Sequence, residues 1–162
     1  MPLTLPVNSL IYFKDTGAGA KDGFLSEHNR SELNATEEII ENRKRTVNGT
    51  MRSYVVAQKT SFQVSWDGLP ATYQHTLDGY KGGWDLLDFY RSYYDKEFYV
   101  FLYSRDLAAR GTLESAVISA GDRYTMRFSD FSYDIAKRNV RMERGVSVIT
   151  DLWNVSLSLE EV

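Results

Sequence analysis

No cysteine occurs among the 162 residues. That removes disulfides, thiolate nucleophiles and thiolate metal sites together, and it fits a reducing cytoplasm. Histidine is almost as scarce: His28 and His75 stand alone, without the neighbouring His or carboxylates at the spacing a metal needs, so both read as surface residues. No apolar run approaches the roughly 18–20 residues that cross a bilayer. The start, Met1-Pro2-Leu3-Thr4-Leu5-Pro6, lacks the basic region and apolar core of a signal peptide. A net charge of −3 is not the strongly basic balance of a dedicated nucleic-acid binder, although it permits a surface that nucleic acid passes without sticking. Catalytic signatures are missing too, with neither a GxSxG nor an HExxH in the chain. Gly17-x-Gly19 has no third glycine and no Lys-Ser or Lys-Thr at phosphate-loop spacing. Carboxylates are plentiful, but no pair is singled out by its surroundings. No catalytic residue, cofactor or metal ligand is assigned, and the chain reads as a non-enzyme.

What is abundant is β-forming and aromatic. Hydrophobic residues make up 43% and charged residues 25%, which suits one globular domain over 1–162 with a real core. Aromatics reach 14%, including 11 tyrosines, a composition suited to half-buried sheets and interfaces. The central stretch runs from Glu37 to Pro70 and turns at Asn48-Gly49, the strongest short signal for a two-residue type I′ hairpin. Both flanks read as strand, giving an arm over about 37–58. Near the turn, Arg43, Lys44, Arg45, Val47, Asn48, Gly49, Met51, Arg52 and Tyr54 offer little hydrophobic face. A hairpin end of that kind is marginal alone, so these residues are the expected subunit interface, and the arm is expected to be mobile in a free monomer. Acidic residues over Glu27–Glu41 and basic ones over Arg43–Arg52 read either as solvated faces or as complementary charge across a subunit boundary. Beyond the arm, Phe62, Val64 and Trp66 alternate with polar residues, as in a strand with one buried face.

Elsewhere, Val7–Phe13 is a strand candidate and Asp22–Thr36 reads as a long surface loop. Trp84–Asp95 is the one convincing helix, with Trp84, Leu87, Tyr90 and Tyr94 along one side and Leu86, Phe89 and Tyr93 widening the stripe. Asp85 and Asp88 lie in its first turn, where carboxylates favour the dipole. Glu97–Tyr103 is apolar on both faces and is expected to be a central, doubly covered strand. Thr112–Ser119 is another strand candidate. Met126 and Phe128 fall out of phase with Phe131, Tyr133 and Ile135, which places a bulge or bend at Ser129-Asp130. Lys137–Gly145 is the most basic cluster and reads as a solvated hairpin loop, or else as an inter-subunit contact. Trp153, Val155, Leu157 and Leu159 mark a last strand that carries the chain to its end inside the fold. Together these patterns indicate a mainly β domain: a β-sandwich or half-barrel with one flanking α-helix and a long protruding β-hairpin.

Several pieces, in order, resemble one family. The stretch Arg52-Ser53-Tyr54-Val55-Val56-Ala57-Gln58-Lys59-Thr60-Ser61-Phe62-Gln63-Val64-Ser65-Trp66-Asp67-Gly68-Leu69-Pro70 is similar to one in tail proteins of long-tailed bacteriophages, especially those of actinobacterial hosts. So are Gly79-Tyr80-Lys81-Gly82-Gly83 before the helix, Asp130–Arg138, and Asp151–Val162. The similarity covers roughly residues 43–162. It implies a virion structural protein of the tail-tube type, whose sandwich subunits form hexameric rings. Their hairpins line a continuous inner barrel, and the rings stack into the conduit for double-stranded DNA. The implied partners are other copies, other tail proteins and DNA passing without sequence-specific binding, in a tail assembled in the host cytoplasm. Tubes of this family tend to have acidic lumens, whereas this arm carries Arg43, Lys44, Arg45 and Arg52. Those side chains either point outward or pair with Glu38 and Glu41, or the chain is a related component: a distal-tail or baseplate ring, a terminator or a minor tail protein. From the residues alone, a monomeric small-ligand-binding β-barrel with an aromatic interior is a further alternative.

Overall fold

Alternation of apolar and polar residues decides how the strands stack. The computed structural model describes residues 10–17, 21–31, 33–103, 117–119 and 121–162. Seven strands, β1 (Leu10–Lys14), β2 (Gly23–Phe24), β3 (Asn34–Arg45), β4 (Met51–Pro70), β5 (Phe98–Tyr103), β6 (Asp122–Glu143) and β7 (Val146–Glu161), form one sheet in the order β2-β1-β5-β6-β7-β4-β3. Every pairing is antiparallel. Phe62, Val64 and Trp66 sit opposite Leu159, Leu157 and Val155, so the two alternating patterns coincide on one face. That face shares a single buried cluster with Ile11, Phe13, Phe98 and Val100 from the far side of the sheet order. Contact between such distant strands requires the sheet to curl onto itself, a half-barrel in form.

Helix α1 (Gly83–Tyr93) closes the curl. Asp85 fixes its start by accepting the Gly82 and Tyr73 amides at 3.0 and 3.1 Å, which satisfies donors a helix end leaves open. Leu86, Leu87 and Phe89 are buried; Phe89 meets Phe13 and Phe98, and Tyr90 stacks on Phe131 at 4.7 Å. The buried stripe therefore differs from the one the spacing suggested, since Trp84 and Tyr94 are exposed. Asp88 does not cap but pairs with Lys21 at 2.9 Å. The expected central strand is β5, with Phe98 and Val100 in the main core and Phe101 and Tyr103 in a second cluster with Tyr12, Phe24 and Val117.

Two expectations need correction. Val117–Ser119 is a helical turn, not strand; the rest of that candidate, Thr112–Ala116, lies outside the described residues, as do Val7–Ser9 of the first strand. The segment after Asp22 is no loose loop. It supplies β2, buries Leu25 and Ser26, receives the Trp66 indole N–H on the Ser26 carbonyl at 2.7 Å and is pinned by Asp78, which accepts the Ser26 hydroxyl and the Glu27 amide. Its polar residues are spent on clamps within the fold. The bulge falls where the change of parity put it, with Ser129 unpaired between Phe128↔Leu159 and Asp130↔Ser158.

Candidate functional site

β4 is longer than its partner contact. It pairs with β7 only over Ser61–Pro70, against Leu152–Glu160, while β3 follows it on to Arg45↔Met51. The hairpin of β3 and β4 thus projects past the end of β7 by roughly 30 Å at the usual rise of a strand. All nine expected interface residues gather at this arm's tip, and all are exposed. The turn is not the two-residue type I′ form. Gly49 N–H donates to the Thr46 carbonyl and Thr46 N–H to that of Thr50, both at 2.9 Å, and only Gly49 has positive φ. This is a three-residue loop with a glycine bulge, in which Asn48 needs no left-handed backbone.

Register sorts the arm's side chains onto two faces. Arg43, Arg45 and Met51 share the face that continues the core, together with Ile39, Glu41, Ser53 and Val55; Lys44, Arg52 and Tyr54 share the opposite face with Glu38, Ile40 and Asn42. Val56 is the extra residue of a bulge between Ile40↔Ala57 and Glu41↔Val55. Glu41 forms an ion pair with Arg43 and accepts the Ser53 hydroxyl. The Arg43 guanidinium, then Ser53, hold the Glu41 carboxyl below its ordinary range. One of the basic residues is thereby paired, and the rest of the tip remains cationic on both faces.

A second arm was hidden in what reads as a solvated loop. β6 and β7 continue together past Pro70↔Leu152 to Glu143↔Val146, and Arg144 and Gly145 turn the chain at φ 49° and 79°. Both turn residues at positive φ is the two-residue hairpin form. Its signal was masked because Arg stands where Asn or Asp is usual. Arg138 grips Asp151 with two bonds of 2.8 and 3.0 Å at the arm's base. Beyond it, Val140, Met142, Val146 and Ile149 are exposed. Because β4 and β7 are antiparallel, the two arms project from opposite ends of the sheet.

The four strands β6-β7-β4-β3 consequently form a stepped sheet. Its core face carries apolar side chains out along both arms. Its opposite face, through the middle, is lined by Ser61, Gln63, Ser65 and Asp67 of β4, Asn154, Ser156, Ser158 and Glu160 of β7, and Asp130, Ser132 and Asp134 of β6. Carboxylates outnumber cations in this middle zone, where Arg127 lies opposite Glu160 and Lys59 opposite Glu38, and further cations collect toward the tips, Lys44 and Arg52 on one arm and Lys137 and Arg141 on the other. Among the described residues, the outer edge of β3, β4 from Met51 to Lys59 and β7 from Val146 to Thr150 have no strand beside them on one side; at Asp151 the carbonyl accepts the Ala71 amide at 3.0 Å. The inner corner of the step is a polar groove of about 210 Å³ lined by Glu38, Lys59, Thr60, Ser61, Glu160 and Glu161. There the Glu161 carboxylate accepts the Thr60 amide at 2.9 Å in place of a strand partner.

The apolar void between Ile11, Phe13, Val64, Val100 and Leu157 is about 10 Å³, room for about one water. His28 accepts the Leu77 amide at 3.2 Å, and His75 meets the Thr72 hydroxyl at 3.2 Å; among the described residues no three metal-ligating side chains gather. No described helix is long and apolar enough to cross a membrane. Compared with models of known families and with curated proteins, the chain matches none.

Proposed function

We propose that this chain is a structural subunit of the phage tail-tube type, which assembles with copies of itself into rings around a channel. The observation that carries the reading is the stepped sheet β6-β7-β4-β3. It extends past its own body at both ends and leaves core-face apolar side chains uncovered on both arms; among the described residues the outer edge of β3, and that of β6 beyond its pairing with β5 at Asp122–Met126, have no strand beside them. Long open edges bearing apolar side chains are liabilities in a monomer. A neighbour removes them. β3 runs antiparallel to β4, β4 to β7 and β7 to β6, so the β6 of a neighbour placed beside β3 continues the alternation, and enough copies close a barrel without edges.

In that barrel the core face looks outward to the bodies and the polar face looks into the channel. Asp67, Asp130, Asp134 and Glu160 then give the lumen a field that repels phosphate. The basic tips, which fit an acidic conduit poorly if taken as a whole, are reconciled with it by position: they lie at the two ends of each subunit's sheet. Hexameric rings, a tail location and passage of double-stranded DNA rest on the resemblance in residues 43–162. A small-ligand barrel is disfavoured among the described residues by the void of only about 10 Å³ between the curled strands.

The test is light scattering with negative-stain microscopy across protein concentration. Rings or tubes with a central hole are expected, and removal of Arg43–Arg52 abolishes them. Rings that form but never lengthen turn the assignment toward a distal ring, terminator or minor tail component. A chain that stays monomeric at the highest concentration, alone and with other tail proteins, overturns it.

A further inference from the structure

Strand β3 carries its charge in two blocks. Glu37, Glu38 and Glu41 lie toward the body, and Arg43, Lys44 and Arg45 toward the tip. An identical strand laid antiparallel against it sets each block opposite its complement. We infer that free subunits pair in this way, edge to edge through β3, as a dimer with two-fold symmetry. In the ring proposed above the same edge receives the β6 of a neighbour, so dimer and ring exclude one another there. A two-fold contact closes on itself, whereas the ring contact continues from copy to copy. The dimer is therefore a reserve of subunits that opens before assembly. The pairing stands on the edge alone, and only its place before assembly rests on the ring reading.

Three observations carry the pairing. The first is the edge itself. Every β3 residue except the half-buried Glu41 is exposed, and among the described residues no strand lies beyond it. The bulge of this hairpin belongs to β4, at Val56, so β3 runs unbroken. Thr46 turns its N–H to the Thr50 carbonyl, while the Thr60 amide of β4 points away from β3, to Glu161. Both bonds assign the even residues of β3 to β4 and turn the backbone groups of Glu37, Ile39, Glu41, Arg43 and Arg45 outward.

The second is register. A pairing that keeps like faces together moves in steps of two residues, and one step satisfies both ends of the strand. With Glu41 on the two-fold axis, Glu37 stands opposite Arg45 of the other copy and Glu38 opposite its Lys44, each pair occurring twice. The turn of each copy then ends beside Ala35 of the other. One step further in drives Val47 against Leu33, where the chain leaves the edge to pack on the core. One step out leaves Glu41 and Arg43 as the only complementary charges directly opposed.

The third is what already surrounds these charges. Lys44 lies opposite Arg52 in its own hairpin, a like-charge pair that Glu38 of the other copy offsets. Glu38 lies opposite Lys59, and Glu37 accepts the Gln58 side-chain amide at 3.2 Å. Only Glu41 meets its own copy. Each Glu41 carboxylate keeps its ion pair with Arg43 of its own chain and gains the other copy's Arg43 on the diagonal.

The chain has no native cysteine, so introduced thiols report only on themselves. Ile40 and Asn42 of the other copy form a pair without backbone hydrogen bonds, whose close approach suits a disulfide. Mild oxidation of an equal mixture of I40C and N42C at low salt should give several-fold more covalent dimer than either variant alone. In sedimentation velocity the wild-type chain should be dimeric at low salt and bind at least about tenfold more weakly near about 0.5 M salt, as exposed ion pairs do. R45E should dissociate the dimer, and E37R combined with R45E should restore it, which a mere loss of folding would not allow. If the mixture links no better than the single variants, or the double variant stays monomeric, the pairing is wrong. A wild-type chain that passes from monomer to rings without a dimer overturns the inference and leaves the ring reading standing. A dimer that never gives rings at any salt leaves the pairing standing and overturns the ring reading.

Discussion

At the scale of single residues, backbone approach decides more than side-chain type at two places. A Cβ on Gly82 would lie 2.5 Å from the Pro70 carbonyl oxygen and 2.8 Å from Ala71 backbone atoms. None of these can swing away. Gly82→Ala is expected to cost about 1–3 kcal/mol, as overpacking does, and thermal melting measures it. Truncating fully buried Leu157 to Ala should cost about 2–5 kcal/mol, because its contacts link β7 to the β1 and β5 side of the curl. Arg144 is the opposite case, a residue whose left-handed backbone is disfavoured by about 1–2 kcal/mol for most side chains. Arg144→Asn fits the turn better and should slow amide exchange across Met142–Ser147. An unchanged exchange rate would show that the turn stores no strain.

At the scale of elements, the arms differ from the body in what holds them. Within the body the inner strands β1, β5, β7 and β4 have a strand on both sides, whereas each arm is a two-stranded ribbon, a form with little stability of its own. Amides of Arg43–Ser53 and Val140–Thr150 should exchange orders of magnitude faster in free monomer than those of Val64 or Leu157, and become protected on assembly. Strong protection in the monomer would mean the arms need no partner. The Arg138–Asp151 clamp adds a pH dependence. Arg138 holds the Asp151 carboxyl below its ordinary value of 3.8. A lowered carboxylate pKa contributes stability that is present above the unfolded value and lost as pH falls through the folded one. Protection factors in the β6–β7 arm, with the intrinsic pH dependence of exchange divided out, should therefore be flat from neutrality to about pH 5 and fall below about pH 4, and Asp151→Asn should remove that dependence. The clamp's two residues lie far apart in sequence, and no local pattern announces them. What was legible was periodic: the alternation in Phe62–Trp66 and Trp153–Leu159, the doubly apolar Phe98–Tyr103, and the parity change at Ser129. What was not legible depended on tertiary context. Asn48-Gly49 took a looser turn because an exposed tip demands no tight one. Arg144-Gly145 took the tight turn because the long β6–β7 pairing sets its register from below. The true buried stripe of α1 was chosen by which side meets Phe13 and Phe98.

At the scale of the whole molecule, the arrangement of charge makes the strongest demand on the proposed conduit. In the closed barrel Asp130 and Asp134 belong to the channel wall, and each recurs in every copy. Duplex DNA offers a phosphate about every 1.7 Å of its axis, and a wall that neutralised those charges would bind it through counterion release, with an affinity falling steeply as salt rises. A wall in which Asp67, Asp130, Asp134 and Glu160 outnumber Arg127 and Lys59 does not neutralise those charges. Both aspartates are solvent-facing in the single chain, so Asp130→Lys with Asp134→Lys should change folding stability by no more than about 1 kcal/mol. Tubes of this double variant should form as the wild type's do and retain duplex DNA at low salt, releasing it as ionic strength increases. Wild-type tubes should retain little at any salt. The comparison must be made on assembled tubes, because in monomers the basic tips of both arms are exposed and would offer phosphate a separate site. If wild-type and variant tubes retain DNA equally, the polar face does not line the channel and the barrel has been closed with the wrong face inward. If only the variant retains it, passage without sticking follows from the carboxylates that the register of β6 against β7 places on one surface.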